Sequence, residues 1–156
     1  MTPISTATNT PGTAIKVGGG PLAIAITPNG KTAYVANGDS GTVTPITTAT
    51  NAPGKSITVK LLSPLQVAMA ITPNGETVYV TDASDTVTPI TTASNTAGKS
   101  IKVGNSPLAI AITPDGETAY VTNAGSNTVT PITTATNAPG KPIKVGYYPQ
   151  AITLTP

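Results

Sequence analysis

The 156-residue chain contains no Cys, His, Trp, Phe or Arg. Without Cys there can be no disulfide framework, thiolate metal site or thiol nucleophile. Without His a Ser-His-Asp triad cannot be built, and without Arg the bidentate guanidinium grip on phosphate or carboxylate is lost. Charge is also scarce. Eight Lys oppose six acids, for a net charge of +2, and charged residues make up only 9% of the chain. That balance is too small and too dispersed for a nucleic-acid surface. No apolar run approaches the roughly 18–20 residues of a membrane-spanning helix, so no membrane insertion of that kind is expected. Met1 leads straight into Thr-Pro-Ile, with no basic segment followed by an apolar one. If the natural protein is secreted, its signal is expected outside this chain.

What is present is repetition. The stretch Pro-Leu-Ala-Ile-Ala-Ile-Thr-Pro-Asn-Gly-Lys-Thr-Ala-Tyr-Val-Ala-Asn at 21–37 returns, edited, at 64–82 and 107–123, and begins again at 149–156. In each full copy two apolar runs flank a Thr-Pro-Asn/Asp-Gly turn, which is a hairpin signature. A second landmark, Val-Thr-Pro-Ile-Thr-Thr-Ala-Thr-Asn, has copies starting at Met1, Val43, Val87 and Val129, at intervals of 42, 44 and 42 residues. A period of about 40–45 residues with several short strands in each unit is that of propeller blades. Helical solenoids share the period, but no 3.6-residue apolar pattern exists here, and the Pro and Thr content disfavours helix.

Each period is predicted to hold four strands, A to D from the axis outward. In the third unit these are 108–113, 118–122, 128–134 and 142–145. Strand A is apolar on both faces (Leu22, Ala23, Ile24, Ala25, Ile26), as a sheet packed between two neighbours requires. The second copy of A, 65–71, gains two residues, an even number that preserves side-chain facing. Strand B carries Tyr34, Tyr79 and Tyr120 at one position, where packing with the hydroxyl on a polar partner is expected. Strand D reads Ile-Lys-Val at 15–17, 101–103 and 143–145, and Ile-Thr-Val at 57–59. Its Ile and Val are expected to face the core, with Lys in water on the outer edge, where it discourages edge pairing. Pro45, Pro89 and Pro131 fall inside strand C and remove ladder donors, so C is expected to be interrupted, bulged or paired only after the proline.

The segments Ala-Tyr-Val-Ala-Asn (33–37), Val-Tyr-Val-Thr-Asp (78–82) and Ala-Tyr-Val-Thr-Asn (119–123), each preceded by Thr-Pro-Asn/Asp-Gly, resemble the YVTN family of β-propeller repeats. The resemblance extends over essentially the whole chain. It implies four-stranded antiparallel blades and an exported, extracellular or cell-surface protein of surface-layer type. Related propellers include lactonase-like enzymes, an antibiotic-opening lyase and a periplasmic DNA binder, but their acid and histidine constellations have no matching positions here.

The expected architecture is therefore an all-β, partial β-propeller over residues 1–156, with repeats at 1–42, 43–86, 87–128 and 129–156. It amounts to about 3.75 blades, or 15 strands, one strand B short of four blades. An open stack leaves apolar side chains in water, each forgoing roughly 1.5–3 kcal/mol. Three outcomes are open: a piece of a longer array, a lone chain closed as an imperfect four-bladed ring, or a second copy completing the ring head to tail; the last, a homodimer, is expected.

Alternating strand direction puts the A–B and C–D turns on one face and the D–A and B–C loops on the other. The first face is nearly uniform in sequence. The second varies, and rigid scaffolds carry function on variable loops. The candidate ligand-binding residues are Tyr147, Tyr148, Asn105, Asp39, Asp82 and Asp85. The two Tyr can stack on a sugar or protein partner, or cover a joint between chains. The Asp residues offer oxygens of the type Ca²⁺ takes, but lack the dense acidic spacing of a dedicated loop, and Asp suits tight turns unaided. Leu61 and Leu62 are expected to pack into the channel mouth. No catalytic residue, metal or cofactor is assigned. A non-catalytic structural or interaction module is the leading expectation, ahead of carbohydrate or small-molecule binding and of a lactonase- or lyase-type enzyme.

Overall fold

A computed structural model describes residues 1–61, 66–82 and 84–155. These residues form short antiparallel strands and no helix. A two-stranded ribbon, β1 (Ile4–Ser5) and β2 (Thr10–Pro11), comes first. Blade 1 follows with β3 (Pro21–Ile26), β4 (Thr32–Asn37), β5 (Thr42–Thr47), β6 (Ala52–Pro53) and β7 (Ile57–Thr58). Blade 2 has β8 (Met69–Ile71), β9 (Thr77–Asp82), β10 (Thr86–Thr91), β11 (Thr96–Ala97) and β12 (Ile101–Lys102). Blade 3 has β13 (Pro107–Ile112), β14 (Thr118–Asn123), β15 (Thr128–Thr133), β16 (Ala138–Pro139) and β17 (Ile143–Lys144). Strands A, B and C pair in sequence order, and two outer segments both pair with C. This is the blade plan of a β-propeller, with an incomplete ring.

The A–B hairpins close as their residues dictate. In blade 1, Gly30 N–H donates to Thr27 O across the turn, and the Asn29 side chain accepts from the Thr27 hydroxyl and the Lys31 N–H. Gly30 has φ +71°, a conformation glycine adopts without a Cβ penalty. Blades 2 and 3 repeat these bonds through Asn74 and Asp115.

The proline expectation is corrected. Strand C runs unbroken through Pro45, Pro89 and Pro131 and keeps full register with strand B, Tyr34 lying opposite Pro45 and Tyr120 opposite Pro131. The interruption falls on strand D instead, which is split into β6/β7, β11/β12 and β16/β17. Pro45 O accepts from Gly54 N–H at 2.8 Å, so the backbone edge of Pro45 points outward, away from strand B. Residues of an antiparallel strand direct their N–H and C=O alternately to either side. The missing donor therefore costs the B–C ladder nothing, and D breaks where no donor meets it. The Ala-Pro at the end of the presumed C–D turn, as at 52–53, is the first piece of D. The irregularity in the inner hairpins lies between Pro21 and Ala23 in β3, and between Pro107 and Ala109 in β13.

Of the second strand A, expected at 65–71, β8 is the one strand among the described residues. Ala68 is tied to Thr81 by three bonds before it begins, while Leu62 and Leu65 lie outside the described residues. The segment 149–155 that copies strand A has no strand partner among the described residues.

The core lies between blades. Tyr34, Ala36, Val43, Ile57 and Val59 of blade 1 pack on Val78, Val80 and Ile90 of blade 2, and Leu61 packs against this cluster. Tyr79, Val87, Ile101 and Val103 of blade 2 pack on Ala119, Val121 and Ile132 of blade 3. The N-terminal ribbon contributes Ile15, Val17 and Met1 against Ala33, Val35 and Ile46. Ile15, Ile57 and Ile101 are buried as expected while Lys16, Thr58 and Lys102 face water, but 15–17 forms no strand, and in the fourth copy Ile143 and Val145 are exposed because no further blade covers them. The strand-B tyrosines do more than fill space. The Tyr34 hydroxyl donates to Asn95 Oδ1 at 2.8 Å and the Tyr79 hydroxyl to Asn137 Oδ1 at 2.7 Å, each reaching the C–D turn of the next blade. Burial raises both phenols above their ordinary pKa.

Candidate functional site

The face formed by the D–A and B–C loops is built from side chains that bond backbone. Within blade 1, Gly19 N–H donates to Ser40 Oγ at 2.6 Å, and Gly38 N–H donates to Gly20 O. Blade 3 repeats the arrangement: Asn105 N–H donates to Ser126 Oγ, and Ala124 N–H to Ser106 O. In blades 2 and 3 the last residue of the B–C loop then reaches the D–A loop that follows. Asp85 Oδ1 accepts from Ser106 N–H at 3.0 Å, and Asn127 Oδ1 accepts from Tyr148 N–H at 2.9 Å. Both take positive φ, 61° and 54°, which Asp and Asn tolerate better than most residues. Gly41 (φ 59°) holds the same place in blade 1 without a side chain.

This geometry places the sequence-derived candidates individually. Asp85 is committed to a backbone N–H. Asp82 is buried, one oxygen accepting from the Ser84 N–H and hydroxyl, the other from the Thr86 hydroxyl at 2.8 Å. Asp39 is exposed, and its carboxylate lies in the space a Cβ on Gly20 (φ +62°) would take, so a side chain there would displace Asp39. Asn105 is exposed beside Ser106, so the Asp85 bond brings Asn105 and Asp85 to one corner. Among the described residues no three acidic side chains converge where a metal could be held.

Tyr147 and Tyr148 are brought together. Their ring centroids are 6.2 Å apart with a 38° tilt. Tyr147 is 89% exposed and Tyr148 41%. Tyr148 has φ 53°, the position held by Ser106 and Gly20 in the other loops. A bulky residue there is uncommon and costs backbone energy, and the Asn127 bond fixes it.

Five residues on or near this face were not singled out from sequence. Ser40 and Ser126 cap the D–A loops, and Asn127 orients the Tyr pair. Asn37 and Asn123, at the end of strand B, are fully buried. Their amide groups donate to Thr42 and Thr44, and to Thr128 and Thr130, while their Oδ1 atoms have no partner among the described residues. Recurrence of Asn/Asp at 37, 82 and 123 was the available signal.

The chain is similar in structure to several β-propeller proteins. It matches the hydrazine synthase of Kuenenia stuttgartiensis with a TM-score of 0.77 and 33% identity, over 88% of this chain and 39% of that one. It matches the WD40 repeats of RRP9 with a TM-score of 0.69 and 14% identity, over 80% of this chain and 38% of that one. A candidate 6-phosphogluconolactonase from Bacteroides uniformis gives 0.74 and 19% identity, over 96% of this chain and 49% of that one. The chain thus spans about two-fifths to half the length of these structures. No family model and no curated protein matches it.

Proposed function

We propose that the chain is a YVTN-type propeller module without catalytic activity, belonging to an exported or cell-surface protein, that offers its D–A and B–C loop face to a binding partner. The observation that carries this reading is the contrast between faces. The turns of one face make the same bonds in three blades, whereas the loops of the other differ from blade to blade on a common backbone frame. Variable surface on a rigid support is where binding residues concentrate. The test immobilises the chain and compares capture of a surface-extract partner by variants of the two faces. Asn105→Lys or Tyr147→Ala is expected to abolish capture, and Asn29→Lys to leave it intact. Equal loss from both faces, or turnover of a lactone substrate by the chain, would refute the reading.

A second reading, carbohydrate binding, is favoured by the Tyr147–Tyr148 pair. An exposed tilted aromatic pair, held in place by Asn127, presents stacking surface to a sugar ring. It requires that soluble oligosaccharides bind the chain and that Tyr147→Ala and Tyr148→Ala each remove that binding.

A further inference from the structure

Two apolar faces stand open, at opposite ends of the blade row. On blade 3 the face consists of Ile143 and Val145, 49% and 40% exposed, with half-buried Tyr120 beside them and Val129 buried beneath. The same positions in blade 1, Tyr34, Val43, Ile57 and Val59, are buried against blade 2. In blade 2 they are Tyr79, Val87, Ile101 and Val103, buried against blade 3. At the other end, Ile4 of β1 is 67% exposed, although its counterparts Ile46, Ile90 and Ile132 are sealed between blades. Leu22, Ile24 and Ile26 of β3 extend this second open face.

The two faces are the two halves of one joint that the molecule already makes twice. Its polar latch is divided in the same way. Asn95 and Asn137 receive tyrosine hydroxyls while held at φ 52° and 56°, and Asn9 is held at φ 54° in the corresponding turn of the ribbon. Among the strand-B tyrosines Tyr120 is the one with no described acceptor, and Asn9 is the corresponding turn asparagine next to the open face. The segment 149–155 adds to the match. Its Ile152 and Leu154 are half-buried, whereas Ala151 and Thr153 are exposed. That alternation leaves small side chains on one side, as Ala23 and Ala25 do in β3, where the next blade packs.

We propose that the chain associates head to tail with a second copy of itself, blade 3 of one copy packing on the β1–β2 ribbon and β3 of the next. In this joint the Tyr120 hydroxyl donates to Asn9 of the partner subunit, Ile4 of the partner subunit enters beside Ile143 and Val145, and the 149–155 segment lies over Ile24 and Ile26 of the partner subunit. The contact is heterologous, joining unlike surfaces, and it fits because the repeats are copies of one another. Nothing in it depends on the loop-face reading.

The molar mass of the full chain in solution is the first measurement. Two copies or a larger ring, at least about twice 15.4 kDa, is expected at high concentration, and a mass of one chain at every concentration overturns the proposal. Ile143→Glu is expected to yield one chain with an unchanged circular dichroism spectrum, since Ile143 is half exposed within a single copy. Should the variant unfold, cross-linking decides. Because the chain has no Cys, Asn9→Cys and Tyr120→Cys chains can be mixed and treated with a short bismaleimide. A two-chain adduct formed only in the mixture supports the joint. No adduct, or a double variant that links only within one chain under dilution, overturns it. Tyr120→Phe is expected to weaken association by roughly five- to tenfold, the worth of one hydrogen bond.

Discussion

At one end of the blades every turn closes on its own blade. The Asn29, Asn74 and Asp115 side chains fold back on the residue two positions before and the N–H two positions after. Thr48, Thr92 and Thr134 each donate to the glycine carbonyl of the adjoining turn, at 2.6, 2.7 and 2.6 Å. The side chains that cross between blades on this face are tyrosines rising from the core. At the other end, loop side chains do the crossing: Asp85 and Asn127 hold the loop entering the following blade. Identical strands thus end in two kinds of surface. One is self-sufficient and repeated. The other is assembled from pairs of loops, so that changing one residue alters what its neighbour presents.

The largest effect that would probe this division is at Tyr79, which is fully buried between blades 2 and 3 and latches the uniform face across the joint. Tyr79→Ala leaves a ring-sized cavity in the inter-blade core, and a loss of about 3–5 kcal/mol is expected from chemical denaturation. Tyr79→Phe keeps the ring and removes only the hydroxyl's bonds, to Asn137 Oδ1 at 2.7 Å and, more weakly, to Thr134 O at 3.4 Å, for a loss of about 1 kcal/mol. If Phe costs as much as Ala, the latch rather than the packing joins the blades.

Next in size is a comparison of two glycines. A Cβ on Gly104, in the variable face, would collide with Ser126 Oγ and lie 2.8 Å from Cβ and Cγ of buried Asn123. Ser126 can rotate, but Asn123 is fixed by Thr128 and Thr130. Gly104→Ala is therefore expected to cost about 1–3 kcal/mol by overpacking. A Cβ on Gly30, in the uniform face, meets nothing within 4 Å, and its φ of +71° is the sole obstacle. Gly30→Ala should cost about 1 kcal/mol. Thermal unfolding that ranks Gly30→Ala as the more damaging would break the contrast between a crowded face and an open one.

These residues also mark how far the sequence could be read. The hairpins were legible because Thr-Pro-Asn-Gly is local chemistry: its bonds connect residues two to five positions apart. The facing of Ile57 and Thr58 was legible because strand periodicity alone determines it. The route of strand C was not, since whether Pro45 disrupts a ladder depends on which side its edge faces, and that is settled by pairing with Tyr34. The partners of the tyrosines were also out of reach, lying 61 and 58 residues downstream. At the candidate site, Tyr147 and Tyr148 stood out as aromatics outside strand B, whereas Asn127, which holds Tyr148, looks like any turn residue. Asp82 and Asp85 drew attention as acids, and the structure puts both to use within loops.

The smallest expected effect isolates the uniform face by pH. Asp115 is fully exposed, yet the Thr113 hydroxyl, and after it the Glu117 N–H, hold its carboxyl below the usual 3.8. A carboxyl whose folded pKa is depressed adds stability that is present above its unfolded-state pKa and is lost as pH falls through the folded value. Asn29 and Asn74 accept the equivalent bonds with an amide oxygen, which does not titrate in this range. Asp115→Asn should therefore leave the unfolding midpoint at pH 7 nearly unchanged, because full exposure screens the charge. Below about pH 4 the native chain should lose stability relative to the variant. Acid limbs that run parallel in the two proteins would show that the carboxylate is idle and that the turn is held by its backbone alone. Diverging limbs would show a face whose side chains act within their own turns, in contrast to Asp85, where substitution by Asn keeps the acceptor for Ser106 N–H but acts on the loop of the next blade.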